Sequence, residues 1–212
     1  MSAMMIAIAT VLAFVCGLIP FLHLPFGGGF TIASMLPIVI ISYMYGIRWG
    51  LFSSFVYSVV QILMDLMLGT GGSVIMALFL PQSDGFMGYA AGIFILLLDY
   101  LVAYTVLGLG GIFRNRIKSK TAALCLGVIV ALSLRYLVHI ISGYIFYGAW
   151  AEWFFSQEGF ALGAVILDAV SGQILALIYS IVYNGLYMIP EIVVTAIAAT
   201  VVARIPQIKK QQ

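Results

Sequence analysis

Apolar residues run in long blocks separated by short clusters of glycine, proline and charged residues. Each block reads as a helix crossing hydrocarbon, which takes about 20 apolar residues. Six such blocks are expected: residues 3–22, 31–45, 51–68, 89–113, a fifth between Lys120 and Trp150, and 173–203. Pro37 reads as a kink in the second and Pro190 as a bend in the sixth. Residues 74–88 form a long connection, and residues 151–170, mixed and partly aromatic, read as an amphipathic helix lying at the interface. The expected fold is an all-α membrane protein, a single domain over residues 1–212 with six transmembrane helices.

Composition supports this reading. Of 212 residues, 64% are hydrophobic and 8% charged, against roughly 25% charged in an average soluble domain. A net charge of +2 argues against a nucleic-acid partner. With six spans, Arg48, the cluster from Arg114 to Lys120 and the tail from Arg204 all fall on one side. The positive-inside rule makes that side cytoplasmic, together with both termini. Cys16 and Cys125 fall near opposite ends of their spans, so neither a disulfide nor a metal set is expected.

Against this background the intramembrane polar residues stand out. Arg135, His139 and Gly143 recur every four residues and share one helix face. Ionisable groups at such depth are costly and persist mostly where they face a bundle interior or a polar cavity. At about 1.5 Å per residue, Arg135, Asp99 and Glu191 each lie roughly 20 Å above the basic end of their helices, with His139 and Asn184 somewhat higher. Arg135 is expected to neutralise Glu191 or Asp99, leaving the other carboxylate for a ligand cation. A buried Arg pair that only fixes helix packing is the competing reading.

The rings Tyr89, Tyr100, Tyr147, Trp150, Tyr179 and Tyr183 complete a candidate pocket suited to a flat, cationic heteroaromatic molecule. For any one of these tyrosines taken alone, packing or interfacial anchoring is the plainer role. Ala9, Ala13 and Gly17 recur at four-residue spacing on the first span, where small residues let a second helix approach, inside the protein or from a partner. The loop Pro25-Phe-Gly-Gly-Gly-Phe30 reads either as a flexible turn or as a lid carrying Phe26 and Phe30. Gly69-Thr-Gly-Gly-Ser73 lacks the Lys-Ser/Thr of a phosphate loop, and no nucleotide site is read there. Neither a nucleophile elbow nor a His-Glu-x-x-His motif occurs, so an enzyme is not expected.

Four sets of segments, in this order, resemble one family: Gly28-Gly-Phe-Thr-Ile with Pro37-Ile and Ile41-Ser-Tyr; Leu96-Leu-Leu-Asp-Tyr-Leu-Val-Ala-Tyr104; Leu134-Arg-Tyr136 with His139-Ile-Ile-Ser-Gly143 and Phe146-Tyr-Gly148; and Tyr179-Ser with Tyr183-Asn184 and Tyr187-Met-Ile-Pro190. The chain resembles the thiamine-specific substrate-binding subunits (S components, ThiT family) of bacterial energy-coupling-factor (ECF) transporters.

The resemblance implies a six-helix thiamine binder of the bacterial cell membrane with an outward-facing pocket, served by a transmembrane coupling subunit and two ATPase subunits. It places the acid–Tyr pair on Asp99 and Tyr100, the binding His on His139, the close-approach Gly on Gly143, the stacking ring on Tyr147 and the last polar pair on Tyr179 and Asn184. Tyr89 matches a further family tyrosine. The helix-one Ala-x-x-x-Ala motif that docks on the coupling subunit falls on Ala9 and Ala13, and the gating loop on Phe26 to Phe30. No cofactor or metal is implied. Pyridoxine, a hydroxyethylthiazole precursor, or an intramembrane enzyme using Asp99 and His139 remain open as alternatives.

Overall fold

The computed structural model describes residues 1–24, 28–67, 73–158 and 160–205, and among these the regular structure is helical apart from one isolated bridge between His23 and Gly29. Four stretches are long and apolar enough to cross a bilayer: α3 (Ile47–Met67), the composite rod Tyr89–Gly111, α7 (Lys120–Phe146) and α10 (Gly172–Val202). Two shorter apolar helices, α1 (Ser2–Gly17) and α2 (Leu36–Tyr45), pack with them. Large apolar side chains such as Phe52, Leu137, Ile189 and Val193 stand exposed on the outside of the bundle. In water such a surface would be an aggregation hazard, whereas in lipid it is the matched face. The chain is a multi-pass membrane protein.

The centre of the bundle is α2, where every residue from Leu36 to Met44 is buried. A helix apolar all round belongs in a core. Its ten residues extend only about 15 Å. Pro37 lies in the first turn of α2, where its missing N–H interrupts nothing, and it starts the helix instead of kinking it. Residues 31–35, expected to be helical, precede the helix as irregular chain.

The composite rod is read from its sequence as one span, but it changes helix type along its length: α5 (Tyr89–Ile95), a π-helical segment (Leu96–Val102), the single turn α6 (Ala103–Thr105) and a 3₁₀ segment (Val106–Gly111). The glycines of the 3₁₀ segment allow close backbone approach: a Cβ at Gly108 would run into the backbone of Leu51 on α3. Buried Ser42 of α2 satisfies that segment, donating to the carbonyl of Gly108 and accepting from the N–H of Gly111 at 2.9 Å.

Two further readings are corrected. Residues 151–170 do not form one amphipathic helix: α8 (Ala151–Phe155) buries Ala151 and Phe155, and α9 (Gly163–Ala169) follows after a turn. The connection after α3 contains a short helix, α4 (Val74–Phe79), capped by Ser73, whose hydroxyl accepts from the N–H of Met76 at 3.0 Å.

Candidate ligand-binding site

Between α1, the π segment, α7 and α10 lies a cavity of about 490 Å³. That volume falls in the usual range for small-molecule sites. Its wall includes Asp99, Tyr100, His139, Gly143, Tyr147, Tyr179 and Asn184. Seven of the eight ligand-contact residues expected from the sequence therefore border one space, although they come from three separate helical stretches.

Asp99 and Tyr100 sit in the π-helical segment. Such segments interrupt the regular ladder and recur at functional positions. Here the segment presents two consecutive side chains to the cavity. Asp99 is held from α7: its Oδ1 lies 2.8 Å from His139 Nδ1 and its Oδ2 accepts from Ser142 Oγ at 2.7 Å. Ser142 and His139 are three residues apart on one helix face, so α7 grips both carboxylate oxygens at once. A carboxylate has about four acceptor positions, and two are taken here. Asp99 thus keeps capacity to meet a positively charged or hydrogen-bond-donating ligand.

The hydroxyl of Tyr100 is already committed, donating to Asp65 Oδ1 at 3.1 Å. Asp65 also accepts from Ser73 Oγ at 2.5 Å and from the N–H groups of Val74 and Ile75 at 3.2 and 3.0 Å. Asp65 thus satisfies the first N–H groups of α4 alongside the cap Ser73. Tyr100 is left with its ring, tilted against Tyr104 with centroids 6.5 Å apart.

Gly143 makes a close approach, but to protein. A Cβ there would strike the hydroxyl of Ser180 on α10 and come within 3.1 Å of Asn184 Nδ2. Its role is to let α7 and α10 pack closely. Ser180 in turn donates to the carbonyl of Ile140 at 2.7 Å. Both ends of the Asn184 side chain are engaged: Oδ1 accepts from the Tyr187 hydroxyl at 2.6 Å, and Nδ2 donates to the carbonyls of Ser180 at 2.8 Å and His139 at 3.2 Å.

The expected pairing of Arg135 is corrected. Among the described residues it has no carboxylate within ion-pair distance. Its Nε points at His139 Nε2 at 3.2 Å, and its guanidinium lies 4.2 Å above the ring of Tyr104. Glu191, 1% exposed, is held by the chain that enters α2: its Oε2 accepts from the N–H of Thr31 at 2.6 Å and from the Thr31 hydroxyl at 3.0 Å. Ser34 Oγ donates to that same hydroxyl oxygen at 2.7 Å.

Three other expectations fare differently. Tyr89 stands outside the cavity wall, 59% exposed, with its ring edge-on to Phe86 at 5.3 Å. Trp150 is likewise not in the wall and packs against Trp153. Ala9 is fully buried and Ala13 borders the cavity. Within the chain Ala9 gives packing space, while Ala13 is half-buried and Gly17, the next small residue of the stripe, is exposed.

Of the loop, Phe30, Gly28 and Gly29 border the cavity, and the Gly28 N–H donates to the Tyr183 hydroxyl at 3.2 Å. Phe26 lies outside the described residues.

Sequence reasoning missed Tyr104, Tyr187 and Ser142 as members of the site. Ser142 was legible from its helical spacing to His139. The two tyrosines were hidden among many rings. Among the described residues no cluster of His, Cys, Asp and Glu has the makings of a metal site.

Comparison with known proteins fits this geometry. The model of the thiamine transporter protein family (Thia_YuaJ) matches residues 1–94 and 70–157. The chain is 29% identical over 204 residues to the thiamine transporter ThiT of Bacillus subtilis (strain 168), covering 92% of this chain and 84% of that one. A solved structure of ThiT from Listeria monocytogenes superposes with a TM-score of 0.58 over 97% of each chain at 18% identity, a likeness of fold. The matched stretches together take in most of the molecule, and the chain belongs to the thiamine transporter protein family.

Proposed function

We propose that this chain captures thiamine in the cavity between the π segment, α7 and α10, as the S component of an ECF-type importer in a bacterial cell membrane. The observation that carries the reading is Asp99, gripped through both oxygens by His139 and Ser142, in a cavity walled by tyrosines. Thiamine pairs a permanent cationic ring with a neutral aminopyrimidine. A carboxylate beside aromatic faces favours such a cation by charge and by cation–π attraction, together worth more in a desolvated pocket than in water.

In this reading the pocket opens outward, Phe30 and the neighbouring glycines cover it, and both termini face the cytoplasm. The chain carries no nucleotide-binding motif, so energy comes from two ATPase subunits working through a transmembrane coupling subunit. It is a transport subunit and not an enzyme.

Titration of the purified protein with thiamine, followed by quenching of its Trp and Tyr fluorescence, tests the proposal. Saturable binding, with unchanged thiamine recovered by mass spectrometry, supports it. No binding of thiamine, or selective binding of pyridoxine or a hydroxyethylthiazole instead, overturns it.

A further inference from the structure

Arg135 is buried in the cavity wall with no carboxylate partner among the described residues, and its Nε lies 3.2 Å from His139 Nε2. A guanidinium offers N–H donors only. The ring nitrogen facing it must therefore be the acceptor. The single proton of neutral His139 then sits on Nδ1, which lies 2.8 Å from Asp99 Oδ1 and donates to it. Hydrogen bonds thus run in one direction, from Arg135 through His139 to Asp99, with Ser142 adding a second donor to the same carboxylate.

We infer that Arg135 is a positioning residue of the binding site: it keeps Nε2 of His139 unprotonated and the ring neutral, so that the charge of Asp99 stays available to a cationic ligand. The inference rests on the proposed capture of thiamine for its functional consequence. An imidazolium would lose the bond to Arg135 and set two cations side by side. It would also neutralise Asp99 from within, leaving less for the ligand. The groups that face the imidazole are Asp99 from the π segment, Arg135 from α7, and Tyr187 from α10, whose ring meets it edge-on at 6.0 Å. None of the others replaces Arg135 as a donor to Nε2.

A second consequence concerns recognition. Both ring nitrogens of His139 are engaged by protein, so the histidine meets the ligand with its ring and the hydrogen bonding falls to Asp99. Arg135 also lies one helical turn below His139, about 6 Å deeper, which keeps a cationic ring from settling past Asp99.

The chain has two histidines, which makes the tautomer directly readable. Long-range ¹⁵N–¹H correlation spectra of the ligand-free protein labelled at histidine report each ring nitrogen, and the signal lost in His139→Gln identifies the residue. The wild type should show His139 protonated at Nδ1 alone. In Arg135→Met that signature should give way to imidazolium, because Asp99 still holds the proton on Nδ1 while Nε2 becomes free to take a second. Thiamine affinity should then fall roughly tenfold or more, while an uncharged analogue of the same shape loses much less. Arg135→Lys, which keeps a donor and a charge, should restore part of both, and it serves as the test variant should Arg135→Met not fold. An Nε2–H or imidazolium His139 in the wild type overturns the inference, as does an Arg135 variant with unchanged tautomer and affinity. Absence of thiamine binding by the wild type would remove the proposed function alone, because the spectra need no ligand.

Discussion

Glu191 and Thr31, 160 residues apart in sequence, form one buried clasp: the carboxylate of Glu191 takes both the backbone N–H and the hydroxyl of Thr31. Thr31 directly follows the glycines and Phe30 at the cavity wall, and Glu191 follows Pro190 inside α10. The segment that borders the cavity through Gly28, Gly29 and Phe30 is therefore fastened to the long helix that forms another part of its wall. A proline at this point leaves one helical N–H absent, and polar partners nearby are what make such an interruption tolerable in a membrane helix.

Replacing Glu191 by Ala leaves the Thr31 donors without partners, at a cost of roughly 1–3 kcal/mol. Hydrogen exchange in detergent should show faster exchange at residues 28–34 in Glu191→Ala, with the middle of α7 little changed. Uniform exchange across both regions would mean that the clasp does not control the segment.

Gly143 gives a second outcome. Its substitution by Ala drives a methyl into Ser180 and towards Asn184, and overpacking of that kind costs about 1–3 kcal/mol. Gly143→Ala should lower the melting temperature, and Gly143→Ala combined with Ser180→Gly should regain most of the loss. Failure of the second change to rescue would show that the glycine is required for something other than the α7–α10 contact.

Tyr89 separates the sequence expectation from the structure. Because its ring stands outside the cavity wall, Tyr89→Ala should leave thiamine affinity within about twofold, the effect of an ordinary surface substitution. Tyr147→Ala, in the wall, should weaken binding clearly. Equal losses for the two would restore Tyr89 to the site.

How much of this was legible beforehand follows from the range of each signal. The long apolar blocks reveal α3, α7 and α10 because hydropathy is local, and the four-residue spacing of Arg135, His139 and Gly143 reveals a polar face because helical geometry is local too. Helix depth places Asp99 in one layer with Arg135 and Glu191 and His139 somewhat higher, whereas in the structure Asp99 reaches His139 at 2.8 Å. The partner of each charge was not legible. Depth counting ranks Asp99 and Glu191 alike as partners of Arg135, yet Thr31 claims Glu191, and His139 stands between Arg135 and Asp99. Those outcomes depend on the rotation of helices about their axes, which short-range pattern does not encode. The same limit applies to Ala9, Ala13 and Gly17: the spacing establishes a narrow stripe, and only packing decides that Ala9 is buried while Gly17 stays exposed.

The central claim is that the negative charge of Asp99 meets the positive charge of the ligand. Calorimetric titration of the wild type and of Asp99→Asn, each with thiamine and with an uncharged isostere whose thiazolium nitrogen is replaced by carbon, measures that contact directly. Loss of one partner of a desolvated charge pair costs about 2–5 kcal/mol. Thiamine should therefore weaken by roughly 30-fold or more, with the isostere nearly unaffected. Equal weakening of both ligands, or undiminished thiamine binding by Asp99→Asn, would contradict the account.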